Sequence, residues 1–155
     1  MHIHRSERLW MTFGIGMLIV FLAAITTAAI ADGFNPPSRV QSIDPAKLTE
    51  TEPFDHPGLR KIGENEYEAY YVGQIFSWNP SKLEVPLGAH VTFYATSADV
   101  MHGFSVPETG INMMVTPGWV NSISYTFKQR GTFLVICNEY CGAGHQQMAA
   151  SIEVR

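Results

Sequence analysis

The sequence predicts an all-β sandwich of Greek-key type, preceded by one membrane-spanning helix at the N-terminus. The helix is predicted by a run from Leu9 to Ala31 that holds no charged side chain. The sandwich is predicted by short β-rich runs, punctuated by turn residues, that continue from Glu66 to the C-terminus without helical periodicity. Of 155 residues, about 30 belong to the membrane segment, and the roughly 120 that remain are the usual size of one domain. A chain that is 46% hydrophobic and 15% charged is neither disordered nor wholly embedded in lipid.

The uncharged run includes Ile15, Met17, Leu18, Ile19, Val20, Phe21 and Leu22. At about 1.5 Å per residue its length exceeds the hydrocarbon thickness of about 30 Å. Arg5 and Arg8 precede it, and Asp32, Asp44, Glu50 and Glu52 follow it. Basic flanks stay on the cytoplasmic side. Residues 1–8 are therefore expected in the cytoplasm and residues 9–31 across the bilayer, with Trp10 at the inner interface and everything beyond outside. Ala29-Ile30-Ala31 also has the small-x-small form of a signal-peptidase site. The run is longer than the core of an ordinary signal, about 7–15 residues, which favours an uncleaved anchor. Either way the remainder is exported.

Pro36, Pro37, Pro45, Pro53 and Pro57 stiffen a stretch with few apolar runs, so residues 32–65 read as a linker. Eight strands are expected in residues 66–155: Tyr67 to Phe76, Leu83 to Val85, Ala89 to Thr96, Phe104 to Val106, Ile111 to Val115, Val120 to Phe127, Thr132 to Cys137 and Met148 to Val154. Val91 to Thr96 and Ser122 to Phe127 alternate apolar and polar residues, as strands with one buried face do. Pro86-Leu87-Gly88, Pro117-Gly118 and Arg130-Gly131 supply turns. Short strands at this spacing suit an antiparallel sandwich. The net charge of -4 comes with no basic patch, which argues against nucleic acid as a partner and leaves room for a basic protein.

The chemistry concentrates near the C-terminus. Cys137, Cys141, His145 and Met148 fall within twelve positions, and His102 lies upstream between two predicted strands. Thiol, imidazole and thioether are the soft and borderline donors that favour copper over magnesium or calcium. A single-copper site of two His, one Cys and a weak axial Met leaves one Cys over, whereas two copper ions bridged by both thiolates use it. The plainer readings are a Cys137–Cys141 disulfide in an oxidising compartment and a structural zinc site, which would not call for Met148.

The pattern C-x-E-x-C-x3-H-x2-M, from Cys137 through Glu139, Cys141 and His145 to Met148 with His102 ahead of it, resembles the CuA domain of cytochrome c oxidase subunit II. The resemblance spans about residues 66–155 and implies a cupredoxin-like fold. It also implies that Cys137 and Cys141 bridge two copper ions, that His102 and Met148 complete one, and that His145 and the Glu139 carbonyl complete the other. The short arm and single anchor look like the B-type oxidases, in the plasma (inner) membrane of a prokaryote with the copper domain on the periplasmic side. The implied partners are the lipid bilayer, a haem-containing subunit I that reduces oxygen, and cytochrome c or a similar small donor. In A-type relatives the Glu at position 139 also offers its carboxylate to a magnesium ion at the boundary with subunit I. Residues 73–78 occupy the place of the aromatic cluster through which electrons enter in those relatives, with the Trp in a different register, so that Phe76 and Trp78 are candidates either for the entry surface or for ordinary packing. The catalytic oxygen site lies in no residue of this chain. The same copper motif occurs in nitrous oxide and nitric oxide reductases, and a copper-delivery cupredoxin is the non-redox alternative.

Outside the motif, Met101, Met113 and Met114 read as core or rim. His2, His4, His56 and His90 read as solvated, and Asp99 joins Glu64, Glu66, Glu68, Glu84 and Glu108 in a solvated acidic face.

Overall fold

A computed structural model describes residues 4–31 and 37–155. The uncharged run forms one helix, α1 (Arg5–Ala31), and none of its residues is buried. The hydroxyls of Thr12 and Thr27 donate to the carbonyls of Arg8 and Ala23, four residues back, so these side chains present no unsatisfied polar group. By length and composition α1 can cross a membrane.

Among the described residues, 37–155 form a separate unit of eleven strands: β1 (Ser38–Ser42), β2 (Gly58–Lys61), β3 (Glu66–Gln74), β4 (Ser77–Asn79), β5 (Lys82–Val85), β6 (His90–Ser97), β7 (His102–Ser105), β8 (Asn112–Val115), β9 (Trp119–Thr126), β10 (Gly131–Cys137) and β11 (Ala149–Val154). One sheet has the order β1-β9-β6-β3-β2, with β4 paired to β3, and the other has the order β5-β11-β10-β7-β8. All eight strands expected from Glu66 onward are present, with ends shifted by a few residues. Alternation fixes which side chains meet between the sheets: Val91, Phe93 and Ala95 of β6 face Val135 of β10 and Ile152 of β11 across a core where each is fully buried. Phe104 stands at its centre, with ring centroids 4.9 Å from Tyr71, 5.2 Å from Trp78 and 5.9 Å from Phe93.

Three features depart from the sequence reading. Residues 38–61 are folded and not a linker. β1 pairs with β9 and β2 with β3, while Asp44 caps a 3-10 turn at Pro45–Glu50 by accepting the Ala46 N–H at 3.0 Å. Leu48 and Phe54 are buried with Val120 against Tyr70, Val72 and Tyr94 on the outer face of the first sheet. Isolated apolar residues among prolines carry no periodicity, so their burial follows only from a sheet face built elsewhere. Secondly, the sandwich is not wholly antiparallel, since β3 runs parallel to β6 and β5 parallel to β11. The chain leaves β3 through β4 and β5, crosses to the second sheet and returns, so that β6 points the same way as β3. Thirdly, the expected strand Tyr67 to Phe76 ends at Gln74, and β4 folds back to pair Gly73 with Trp78.

Candidate metal centre

The end of β10 lies beside β7, pairing Cys137 with Phe104, and this brings His102 next to Cys137 although the two are distant in sequence. The Cys137 N–H donates to the Met148 carbonyl at 3.2 Å, so the ligand-bearing loop leaves and rejoins the sheet at one point. Among the described residues, His102, Cys137 and Cys141 place their ligand atoms within 4.8 Å of one another. His102 Nδ1 is 3.9 Å from Cys137 Sγ, and Cys141 Sγ is 3.6 Å from His145 Nδ1 and 3.8 Å from Met148 Sδ. The Cys137 thiol donates to the Glu139 carbonyl at 3.1 Å. Of the six residues that the motif singles out, His102, Cys137, Cys141 and Met148 are buried, while Glu139 and His145 are half-buried. All six converge on one pocket.

The sulfurs of Cys137 and Cys141 are 3.9 Å apart and both thiols are free, against about 2.05 Å for a disulfide. Two sulfurs each about 2.3 Å from one tetrahedral first-row ion would stand about 3.8 Å apart, so the spacing fits shared metal coordination. Burial, and then the adjacent Cys137 thiol, pushes the Cys141 thiol up to about 11. It is protonated at neutral pH until a cation displaces the proton, and metal uptake at this loop releases protons. The donor chemistry is that of copper.

Glycines admit the rings that surround the donors. A Cβ on Gly73 would lie 2.9 Å from the Trp78 ring and 3.0 Å from the His102 ring. A Cβ on Gly144 would overlap Phe76 Cδ2, and one on Gly142 would lie 3.0 Å from Phe76 Cε1. Phe76 therefore lies directly on the ligand loop. A Gly144→Ala variant is expected to push this ring aside, destabilising the copper-free protein by about 1–3 kcal/mol and speeding chemical labelling of the Cys141 thiol. Unchanged labelling would show that the ring does not cover the loop.

Three sequence readings are corrected by the structure. Trp78 is 2% exposed, with its ring 5.8 Å from that of His102. It is a core residue and cannot form part of a surface where electrons arrive, because the middle residue of β4 points inward while its neighbours Ser77 and Asn79 point out. Asp99, read as a solvated charge, instead accepts from His102 Nε2 at 2.9 Å and from the N–H groups of Ile75 at 2.7 Å and Val100 at 2.6 Å. Burial opposes its ionisation, but the Ile75 N–H, His102 and the Val100 N–H outweigh it and hold the carboxyl below the usual carboxylate range. The spacing Asp-x-x-His was the available signal. His90 is half-buried, not solvated, with Nδ1 2.9 Å from Thr126 Oγ1. Around the loop Ile75, Val100, Met101 and Tyr140 are exposed, beside the acidic Asp99 and Glu139.

Comparison with known proteins agrees with this geometry. A family model described as cytochrome c oxidase subunit II, periplasmic domain, matches residues 73–155. Cytochrome c oxidase subunit 2 of Thermus thermophilus is 40% identical over 153 residues, which cover 96% of this chain and 91% of that protein. A chain of a heme-copper terminal oxidase dimer solved by cryo-electron microscopy superposes with a TM-score of 0.80 at 30% identity, covering 97% of this chain and all of the other. The periplasmic domain of cytochrome oxidase subunit II from Bradyrhizobium japonicum shares the cupredoxin-like fold at TM-score 0.53 and 22% identity, over 57% of this chain and 83% of that one. With its folded domain, its converging soft donors and these relatives, the chain belongs to the cytochrome c oxidase subunit II family.

Proposed function

We propose that the outer domain holds two copper ions and that, as subunit II of a haem-copper oxidase, the chain takes electrons from cytochrome c and passes them to haem in subunit I. The observation that carries this reading is the convergence of two free thiols, two imidazoles, a thioether and the Glu139 carbonyl on one largely buried pocket. When bound, a pair of coppers sharing two sulfurs supplies one-electron transfer with little change in geometry. Cys137 and Cys141 would hold the ions together, with His102 and Met148 on one side and His145 and the Glu139 carbonyl on the other. Phe104, whose backbone pairs with Cys137, and Trp78, whose ring is 5.8 Å from that of His102, are buried and would exclude water from beneath the donors.

Phe76 stands between the exposed rim and the ligand loop, which supports it as the residue through which electrons arrive. Ile75, Val100, Met101 and Tyr140 offer the donor exposed apolar and aromatic side chains beside the acidic Asp99 and Glu139. The Glu139 carboxylate makes no hydrogen bond or ion pair with any described residue, and it is free to serve a magnesium ion whose other ligands come from subunit I and water. Helix α1 anchors the chain in the bilayer once, with Arg5 and Arg8 holding the N-terminus on the cytoplasmic side. The membrane is the plasma (inner) membrane of a prokaryote.

The test is metal stoichiometry with electron paramagnetic resonance on the full chain in detergent. Two coppers per chain with one electron shared over both nuclei are expected. A single copper with a single-nucleus signal would overturn the dinuclear reading.

A further inference from the structure

We infer that Asp99 is a positioning residue that clasps three loops together, orienting the His102 ligand with one carboxylate oxygen and holding the Phe76 segment on the ligand loop with the other. This rests on the proposed role of His102 as a copper ligand. The two oxygens have separate partners. Oδ1 receives His102 Nε2 at 2.9 Å and the Val100 N–H at 2.6 Å, and Ser97 Oγ lies 3.3 Å from it. Oδ2 receives the Ile75 N–H at 2.7 Å.

Because Nε2–H points to Oδ1, the lone pair of Nδ1 is left facing Cys137 Sγ at 3.9 Å. A carboxylate in this place fixes both the tautomer and the ring angle of a ligating imidazole. Ile75 is followed by Phe76, whose ring occupies the space that side chains on Gly142 and Gly144 would fill. One carboxylate thus ties the loop after β3 to the loop before β7, and the Phe76 ring carries that tie to the loop after β10. Solvation of the charge does not account for this placement, since the Asp99 side chain is 24% exposed and bonds to groups on either side of it.

The two oxygens can be separated by mutation. Asparagine has one acceptor oxygen, and turning its NH2 toward Oδ1's partners would oppose two N–H donors, whereas turning it toward Ile75 opposes one. Asp99→Asn should therefore keep His102 and release the Phe76 segment. Asp99→Ala should release both, and Glu108→Gln, which removes an exposed charge elsewhere, should release neither.

The experiment uses the full chain in detergent. It measures amide hydrogen exchange over residues 74–77 and the rate at which bathocuproine removes copper from the reduced, copper-loaded protein. For Asp99→Asn, exchange over 74–77 should rise at least about tenfold with copper release near the wild-type rate. For Asp99→Ala, release should also quicken by about 10–100-fold, the usual cost of losing such a support. Exchange in Asp99→Asn equal to that in Glu108→Gln overturns the clasp, as does wild-type copper release from a folded Asp99→Ala. If Asp99→Ala does not fold, the exchange result for Asp99→Asn decides. A wild-type chain that takes up fewer than two coppers would count against the proposed function alone, because exchange on the copper-free chain still tests the clasp.

Discussion

Replacing Cys137 with serine is expected to lower the copper content from the proposed two ions per chain to at most one and to abolish the proposed signal of an electron shared over two nuclei. Cys137 is the sulfur beside His102 and the Glu139 carbonyl, with His102 Nδ1 and Cys141 Sγ each 3.9 Å away and the Glu139 carbonyl at 3.1 Å. A serine hydroxyl is a hard donor that stays protonated in the physiological range, so it cannot bridge two soft ions. The substitution leaves the fold in place. The Cys137 N–H to Met148 carbonyl bond and the pairing with Phe104 are made by the backbone, and serine is no larger than cysteine. Metal analysis, electron paramagnetic resonance and circular dichroism on the same sample separate loss of the centre from loss of the domain. A serine variant that retained two coppers would show that the thiolate is not a bridge.

The largest effect on stability is expected from Phe104→Ala. Its ring is fully buried and touches Tyr71, Trp78 and Phe93, and its backbone pairs with Cys137. Truncating a buried Phe costs about 3–5 kcal/mol, because lost transfer free energy adds to the cavity left behind. For a domain of this size that corresponds to a fall in melting temperature on the order of 10–20 °C. Thermal unfolding of the copper-free protein measures it, and a shift of only a few degrees would mean that the surrounding rings collapse into the space. Trp78 lies between Phe104 and His102, so a change in its fluorescence should report the same cavity in the folded state.

Much of this was legible in the sequence, for identifiable reasons. The strands after Glu66 show because they have one buried face, which writes period-two alternation into Val91 to Ala95. The donors show because two thiols, an imidazole and a thioether within twelve positions are rare in any other role. What was illegible depends on partners distant in sequence. Leu48 and Phe54 look like stray apolar residues among prolines until Tyr70, Val72 and Tyr94 give them a surface. Trp78 looks like a surface aromatic until the turn after Gln74 aims it at His102. Asp99 looks like one more acidic charge in a chain of net charge -4 until the fold brings Ile75 and His102 to its two oxygens. Periodicity reports how an element is buried, and says nothing of which distant element does the burying.

The pairing of β10 with β11 runs through six successive rungs, from Gly131 with Val154 to Ile136 with Ala149, and bears on the order in which the protein matures. Where a metal must gather its own ligands from a loose chain, as in small zinc domains, binding and folding are one event. Here strand pairing offsets the entropy of closing the loop between Cys137 and Met148, and the hydrophobic sandwich holds His102 alongside, so the donors are expected to be gathered before an ion binds. Copper is then expected to be a late arrival. The polypeptide can be exported and folded empty, then filled, and stripping the metal should leave a vacant vessel in place of an unravelled chain.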